Sequence, residues 1–116
     1  MAAKYVISKT TNGKFHFVLK AGNGEVILSS QTYADLTGAT RGIASVKENG
    51  PQDERFQRLS SARGEPYFNL LAANGQVIGK SEMYSSERAR DNGIESVRRN
   101  AAGAAVDDRS QDAPAR

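Results

Sequence analysis

Cysteine is absent from this chain, and histidine occurs once, at His16. The first absence excludes a disulfide scaffold, a thiol nucleophile, an iron–sulfur site and any thiolate zinc site. The second excludes a site built from several histidines. No apolar run approaches membrane-spanning length, and Met1-Ala2-Ala3-Lys4-Tyr5 lacks the apolar core of a secretory signal. A cytoplasmic location is the expectation that follows, with no membrane partner. Charge of one sign is also in short supply. Sixteen Lys and Arg against thirteen Asp and Glu leave +3, far from the excess of an evident polyanion binder. What is there is 116 residues, 38% hydrophobic and 25% charged, enough for one domain with one packed core.

The most informative feature is that the chain is written twice. Shifted by 51 residues, the stretch 5–49 overlays 56–100 without a gap, with fifteen identical pairs over 45 positions. They include Phe17/Phe68, Leu19/Leu70, Asn23/Asn74, Gly24/Gly75, Ser30/Ser81, Tyr33/Tyr84, Gly42/Gly93, Val46/Val97 and Asn49/Asn100. Repeats of this length are structural units. Gly50-Pro51-Gln52-Asp53 breaks the chain between them, so residues 50–55 form a short linker.

Each copy reads as three strands and a helix. Lys4 to Ile7 is a short strand, followed by the Asn12-Gly13 turn. Lys14 to Ala21 alternates, setting Phe15, Phe17, Leu19 and Ala21 on one face. Asn23-Gly24 suits a type I′ hairpin turn, and Glu25 to Ser30 returns as the third strand. The period then becomes helical from about Ala34 to Glu48, with Thr32 or Asp35 as cap. The second copy repeats each step, and Ser85 or Ser86 caps its helix to about Asn100. Gly42 and Gly93 lie mid-helix, where glycine is unfavourable by up to ~1 kcal/mol, which suggests a close backbone approach between helices. One three-strand, one-helix unit has a marginal core, and two can share one. The expected fold is therefore α+β: tandem β-β-β-α repeats forming one largely antiparallel sheet, two helices on one face, pseudo-twofold. Residues 1–100 make a single domain, and 101–116, without periodicity or large apolar residues, are expected to be a disordered tail.

Phe-x-Leu-x-Ala-x-Asn-Gly-x-Val-Ile, Ser-x-x-Tyr and Gly-Ile-x-Ser-Val-x-x-Asn occur in both copies, and together they resemble the YegP-like family of small bacterial proteins. The resemblance covers all but the tail. It implies two three-strands-plus-helix motifs, in tandem or as two subunits, forming one sheet with exchanged strands. The family is of unknown function, so no catalytic or ligand-binding residue is carried over. The first copy departs from the pattern at Leu36-Thr37-Gly38, against Glu87-Arg88-Ala89 in the second, which implies a looser start to the first helix.

Candidates for chemistry are few. His16 lies between Phe15 and Phe17, with no orienting partner nearby in sequence. Asp53-Glu54 and Asp107-Asp108 lie in the linker and tail, as solvated charges. Gly22-Asn23-Gly24 lacks the third glycine and following helix of a dinucleotide site. Ser30 and Ser81 read as local hydrogen-bonding residues at the strand-to-helix corner, with Tyr33 and Tyr84 packing there. No catalytic residue, metal or cofactor is expected, and the protein reads as a non-enzyme.

What survives is a surface. If Phe17, Leu19, Phe68 and Leu70 face the helices, then His16, Val18, Lys20, Tyr67, Asn69 and Leu71 face away from them, and no element is left to cover that face. Two readings follow. The face binds a partner protein or a second copy of the chain. Alternatively it binds single-stranded nucleic acid weakly and with little sequence preference, Lys9, Lys14, Lys20, Arg55, Arg58 and Arg63 meeting phosphates. A face that is merely half-apolar and solvated is the plain third reading.

Overall fold

The computed structural model describes residues 2–110. Its elements are β1 (Lys4–Lys9), β2 (Phe15–Lys20), β3 (Val26–Ser29), α1 (Leu36–Asn49), β4 (Phe56–Ser60), β5 (Pro66–Leu71), β6 (Val77–Lys80), α2 (Glu87–Asn100) and β7 (Ala105–Asp108). A single 3-10 turn, Asp53–Arg55, precedes β4. The strands form one seven-stranded sheet in the order β4-β5-β6-β3-β2-β1-β7. Every pairing is antiparallel except β1 with β7.

The hairpins are built alike. In the loop after β2, Gly24 N–H donates to Ala21 at 2.9 Å and Ala21 N–H to Glu25 at 2.8 Å, with Gly24 at φ 87°. Asn23 does not take positive φ, so this is a type I turn closed by a glycine bulge, not the expected type I′ turn. The Asn23 side chain favours the right-handed turn by accepting from the Glu25 N–H at 3.0 Å. The helix starts match each other. Asp35 Oδ1 accepts from Gly38 N at 2.8 Å and Ser86 Oγ from Ala89 N at 3.1 Å. Leu36 and Glu87 are thus equivalent first residues, and the first helix starts as firmly as the second.

The two halves meet at Ser29↔Lys80, the pairing between β3 and β6. These are equivalent positions of the two copies, so the pseudo-twofold axis passes through them. α1 packs on β2 of its own half and on β5 and β6 of the other, while α2 packs on β5 and on β3. One core results, with Tyr5, Phe17, Leu19, Val46, Phe68, Leu70 and Val97 fully buried. Each such side chain contributes roughly 1.5–3 kcal/mol.

Two further expectations are corrected. The mid-helix glycines do not bring helix to helix. A Cβ on Gly42 would meet the Tyr33 hydroxyl and lie 2.9 Å from Phe17 Cε2, and one on Gly93 would meet the Tyr84 hydroxyl. Each tyrosine stacks on the phenylalanine beneath it, at 6.2 Å for Phe17–Tyr33 and 6.3 Å for Phe68–Tyr84, and needs the space above. Nor does order stop at Asn100. Ala101 and Ala104 are buried, and β7 runs parallel to β1 from Lys4↔Ala105 to Ile7↔Asp108. The strand forms in a segment poor in large apolar residues because the exposed β1 edge supplies unpaired backbone groups. β7 follows the second copy's helix yet completes the first copy's edge. Residues 111–116 of the expected tail lie outside the described residues.

Candidate binding face

The ladder registers decide which side chains share the side of the sheet away from the helices. Val6↔Val18, Ser8↔His16 and Lys4↔Lys20 are paired across β1 and β2, and Val18↔Ser29 and Lys20↔Val26 across β2 and β3. In the other half the pairs are Gln57↔Asn69, Leu59↔Tyr67, Asn69↔Lys80 and Leu71↔Val77. The six residues expected here, His16, Val18, Lys20, Tyr67, Asn69 and Leu71, all fall on this side, and each is half-buried. They form two rows. β3 and β6 separate β2 from β5, so the rows stand about 14 Å apart.

The intervening strands supply what the sequence reading left out: Val26 and Ser29 from β3, Val77 and Lys80 from β6. Val77 is 45% exposed. Lys80 reaches over the Tyr67 ring, its Nζ 5.1 Å from the centroid, a favourable cation–π arrangement. A shallow depression of about 250 Å³ lies beside the seam, lined by Ser29, Ser30, Gln31, Val77, Gly79 and Lys80. Bulges between Leu19 and Lys20 and between Leu70 and Leu71 shift the registers, which alternation within one strand does not reveal.

The charges are arranged unevenly. Lys4, Lys20 and Lys80 project from β1 to β6 on this side, and no Asp or Glu lies within those six strands. Asp107, on β7, meets Lys4 at 3.4 Å and Arg109 at 3.6 Å at one edge. Several cations assigned to the face by the sequence reading lie elsewhere. Arg58 pairs with Phe68 on the helix side and approaches Asp91 of α2 and Asp53, both at 3.4 Å. Arg55 Nε donates to Asn49 Oδ1 at 2.9 Å, and Lys9 lies over the Phe15 ring at 5.5 Å.

Hydrogen bonding accounts for the other candidates. His16 Nδ1 shares a 3.3 Å hydrogen bond with Ser8 Oγ. Ser30 and Ser81 each accept from a strand amide, Phe17 N and Phe68 N, both at 2.9 Å, and donate to the next residue's carbonyl. Asn49 and Asn100 donate back to Ser45 and Ser96 one turn earlier. These six hydrogen bonds explain the Ser-x-x-Tyr and Ser-Val-x-x-Asn motifs as local structure. The tyrosines with raised pKa are Tyr5, Tyr33 and Tyr84, chiefly through burial, and all three pack on the helix side. Among the described residues no group of three or more His, Asp or Glu is placed to hold a metal ion, and no helix is long and apolar enough to cross a membrane.

Comparison with known proteins places the repeat. A family model described as a domain of unknown function, DUF1508, matches residues 11–57 and again 61–108. The chain belongs to this family. It is a tandem DUF1508 protein, and the second match extends through β7, so that strand is part of the repeat. A UPF0339 protein of Acinetobacter baylyi is 52% identical over 93% of this chain and 97% of its own length. The UPF0339 protein YegP of Escherichia coli is 48% identical, over 93% and 98%. The solution NMR structure of Escherichia coli yegP, described as a protein of unknown function, superposes with a TM-score of 0.91 at 46% identity, over 97% of each chain. The YegP-like resemblance and the α+β tandem-repeat fold are therefore established for this DUF1508 protein, and no activity comes with them.

Proposed function

We propose that this DUF1508 protein is a non-enzymatic binding module whose helix-free face docks an acidic, partly apolar surface of a partner protein. The observation that carries this reading is the charge pattern of the face. Lys20 and Lys80 stand among Val6, Val18, Val26, Leu59, Leu71 and Val77, with no Asp or Glu in the strands β1 to β6, while Lys4 at the edge is paired with Asp107. Aliphatic area supplies the burial, and the lysines select against a basic partner and steer an acidic one. Self-association through this face is disfavoured by the same pattern, because a second copy brings lysines against lysines.

Single-stranded nucleic acid is a second reading, supported by Tyr67 with Lys80 above it and Lys20 on the same side. Against it, sheets that stack bases present two or three aromatic side chains close together, whereas Tyr67 and the His16 imidazole stand in separate rows about 14 Å apart.

Site-directed photo-crosslinking in cells tests both. A photoreactive residue at Val18 or Leu71 is expected to give a protein adduct, whereas one at Arg88, on the outer side of α2, is not. An adduct destroyed by nuclease would move the assignment to nucleic acid. Equal adducts from Arg88 and Leu71 would refute docking on this face.

A further inference from the structure

The pseudo-twofold axis sets equivalent positions of the two repeats against one another, and at two places the equivalent residues differ in size. Leu28 of β3 and Gly79 of β6 flank the Ser29↔Lys80 seam. Leu28 is 1% exposed, and a Cβ built on Gly79 would lie 2.7 Å from both its Cγ and its Cδ2. At the other place the helix ends meet. Gly50 closes α1 and Ala101 closes α2, and a Cβ on Gly50 would lie 2.5 Å from the Cβ of Ala101 and 2.7 Å from the Val46 carbonyl oxygen of its own helix. Carbon atoms in contact need about 3.5–4.0 Å. Neither glycine serves an unusual backbone: Gly50 is helical at φ −56°, and Gly79 is not among the glycines with positive φ. At Gly79 the equivalent residue of the other repeat fills the space, and at Gly50 it does so together with the Val46 carbonyl.

We infer that the two repeats are a matched, non-interchangeable pair, each presenting at the axis a surface that accepts the other repeat and rejects a copy of itself. Two first repeats set Leu28 against Leu28 and Gly50 against Gly50, a collision at the seam and a void at the helix ends. Two second repeats reverse the faults, a void where Gly79 faces Gly79 and a collision between alanines at 101. Close-packed interiors tolerate neither fault well. A second copy of the chain can engage this surface in one way, by reciprocal exchange in which each first repeat packs on the other copy's second repeat.

Exchanging residues across the axis in the full chain tests the inference. Gly79→Leu and Leu28→Gly are each expected to lower Tm by roughly 5–15 °C. The combined L28G/G79L chain should recover most of the summed loss, because the pair is matched again with its members transposed. Gly50→Ala should likewise lower Tm, and G50A/A101G should recover part of that loss, the contact with the Val46 carbonyl remaining in both chains. The Tyr5 hydroxyl bonds to the backbone carbonyl of residue 101, so Ala101→Gly leaves that contact available. The Gly50/Ala101 exchange is the milder change and decides alone if L28G/G79L does not fold. Losses that simply add in the exchanged chains, or a Gly50→Ala chain as stable as the parent, would overturn the inference.

Discussion

The hydroxyl of Tyr5, on the first strand, donates to the backbone carbonyl of Ala101, the residue that closes the second helix, over 2.6 Å in a fully buried setting. It caps a carbonyl that a helix end leaves without a partner. The contact also ties the start of the chain to the segment leading into β7. At the equivalent position the second repeat has Phe56, on β4, the outermost strand on that side of the sheet among the described residues. The hydroxyl that distinguishes Tyr5 from Phe56 thus accompanies β7, the strand that distinguishes the two edges of the sheet among the described residues.

Removing that hydroxyl should loosen β7. Tyr5→Phe leaves a buried carbonyl unpaired and is expected to lower stability by about 1–3 kcal/mol. Amide hydrogen exchange should accelerate in residues 105–108, which pair with β1, more than in β5. Uniform acceleration throughout the sheet would show that the contact does not act on β7 in particular.

Alkali should act through the same residue. Burial holds the Tyr5 pKa above its ordinary value near 10.0. Below that pH both folded and unfolded chains keep the proton, and stability is unaffected. Above it the unfolded chain releases the proton while native Tyr5 retains it, so stability falls as pH rises toward the folded-state pKa. Tyr33 and Tyr84 add in the same direction. Urea midpoints measured from about pH 8 to pH 11 should therefore decline more steeply for the parent than for Tyr5→Phe.

Alanine at a mid-helix glycine should destabilise here, against the usual trend. Gly42→Ala gains up to ~1 kcal/mol of helix propensity. It also drives a Cβ into Tyr33 and to 2.9 Å from Phe17 Cε2, an overpacking expected to outweigh that gain with a loss of about 1–3 kcal/mol. Adding Tyr33→Phe should recover part of the loss, since a ring carbon 2.8 Å away remains. A Gly42→Ala chain more stable than the parent in urea would contradict the tyrosine-shelf explanation.

The corner serines should differ in weight. Ser81 is 6% exposed and its bond to Phe68 N is buried, whereas the bond from Phe17 N to Ser30 is partly buried. Ser81→Ala is expected to lose about 1–3 kcal/mol and Ser30→Ala less, because water can reach the amide freed in the first repeat. Denaturant midpoints of the two variants make the comparison directly.

Much of this was legible in the residues themselves. The alternation of Phe15, Phe17 and Leu19 placed His16, Val18 and Lys20 on the opposite side, and the 51-residue repeat did the same for Tyr67, Asn69 and Leu71. Asp35 and Ser86 stood among the candidate caps. β7 was not legible, because Ala105-Val106-Asp107-Asp108 carries little strand preference and owes its conformation to β1 and to the Tyr5 contact. The reason for Gly42 and Gly93 was hidden for a similar cause: the tyrosine that needs the space lies nine residues earlier. Lys80 and Val77 join the face through the β5–β6 hairpin, whose register shifts between Leu70 and Leu71, a bulge that alternation within one strand does not show.

Charge reversal tests whether an acidic partner docks on the helix-free face. Lys20→Glu/Lys80→Glu is introduced into a chain carrying the photoreactive residue at Leu71, with the amide spectrum confirming an unchanged fold. Loss of the protein adduct seen with the parent lysines is the predicted result. An adduct of equal yield after both lysines have been reversed would contradict the claim.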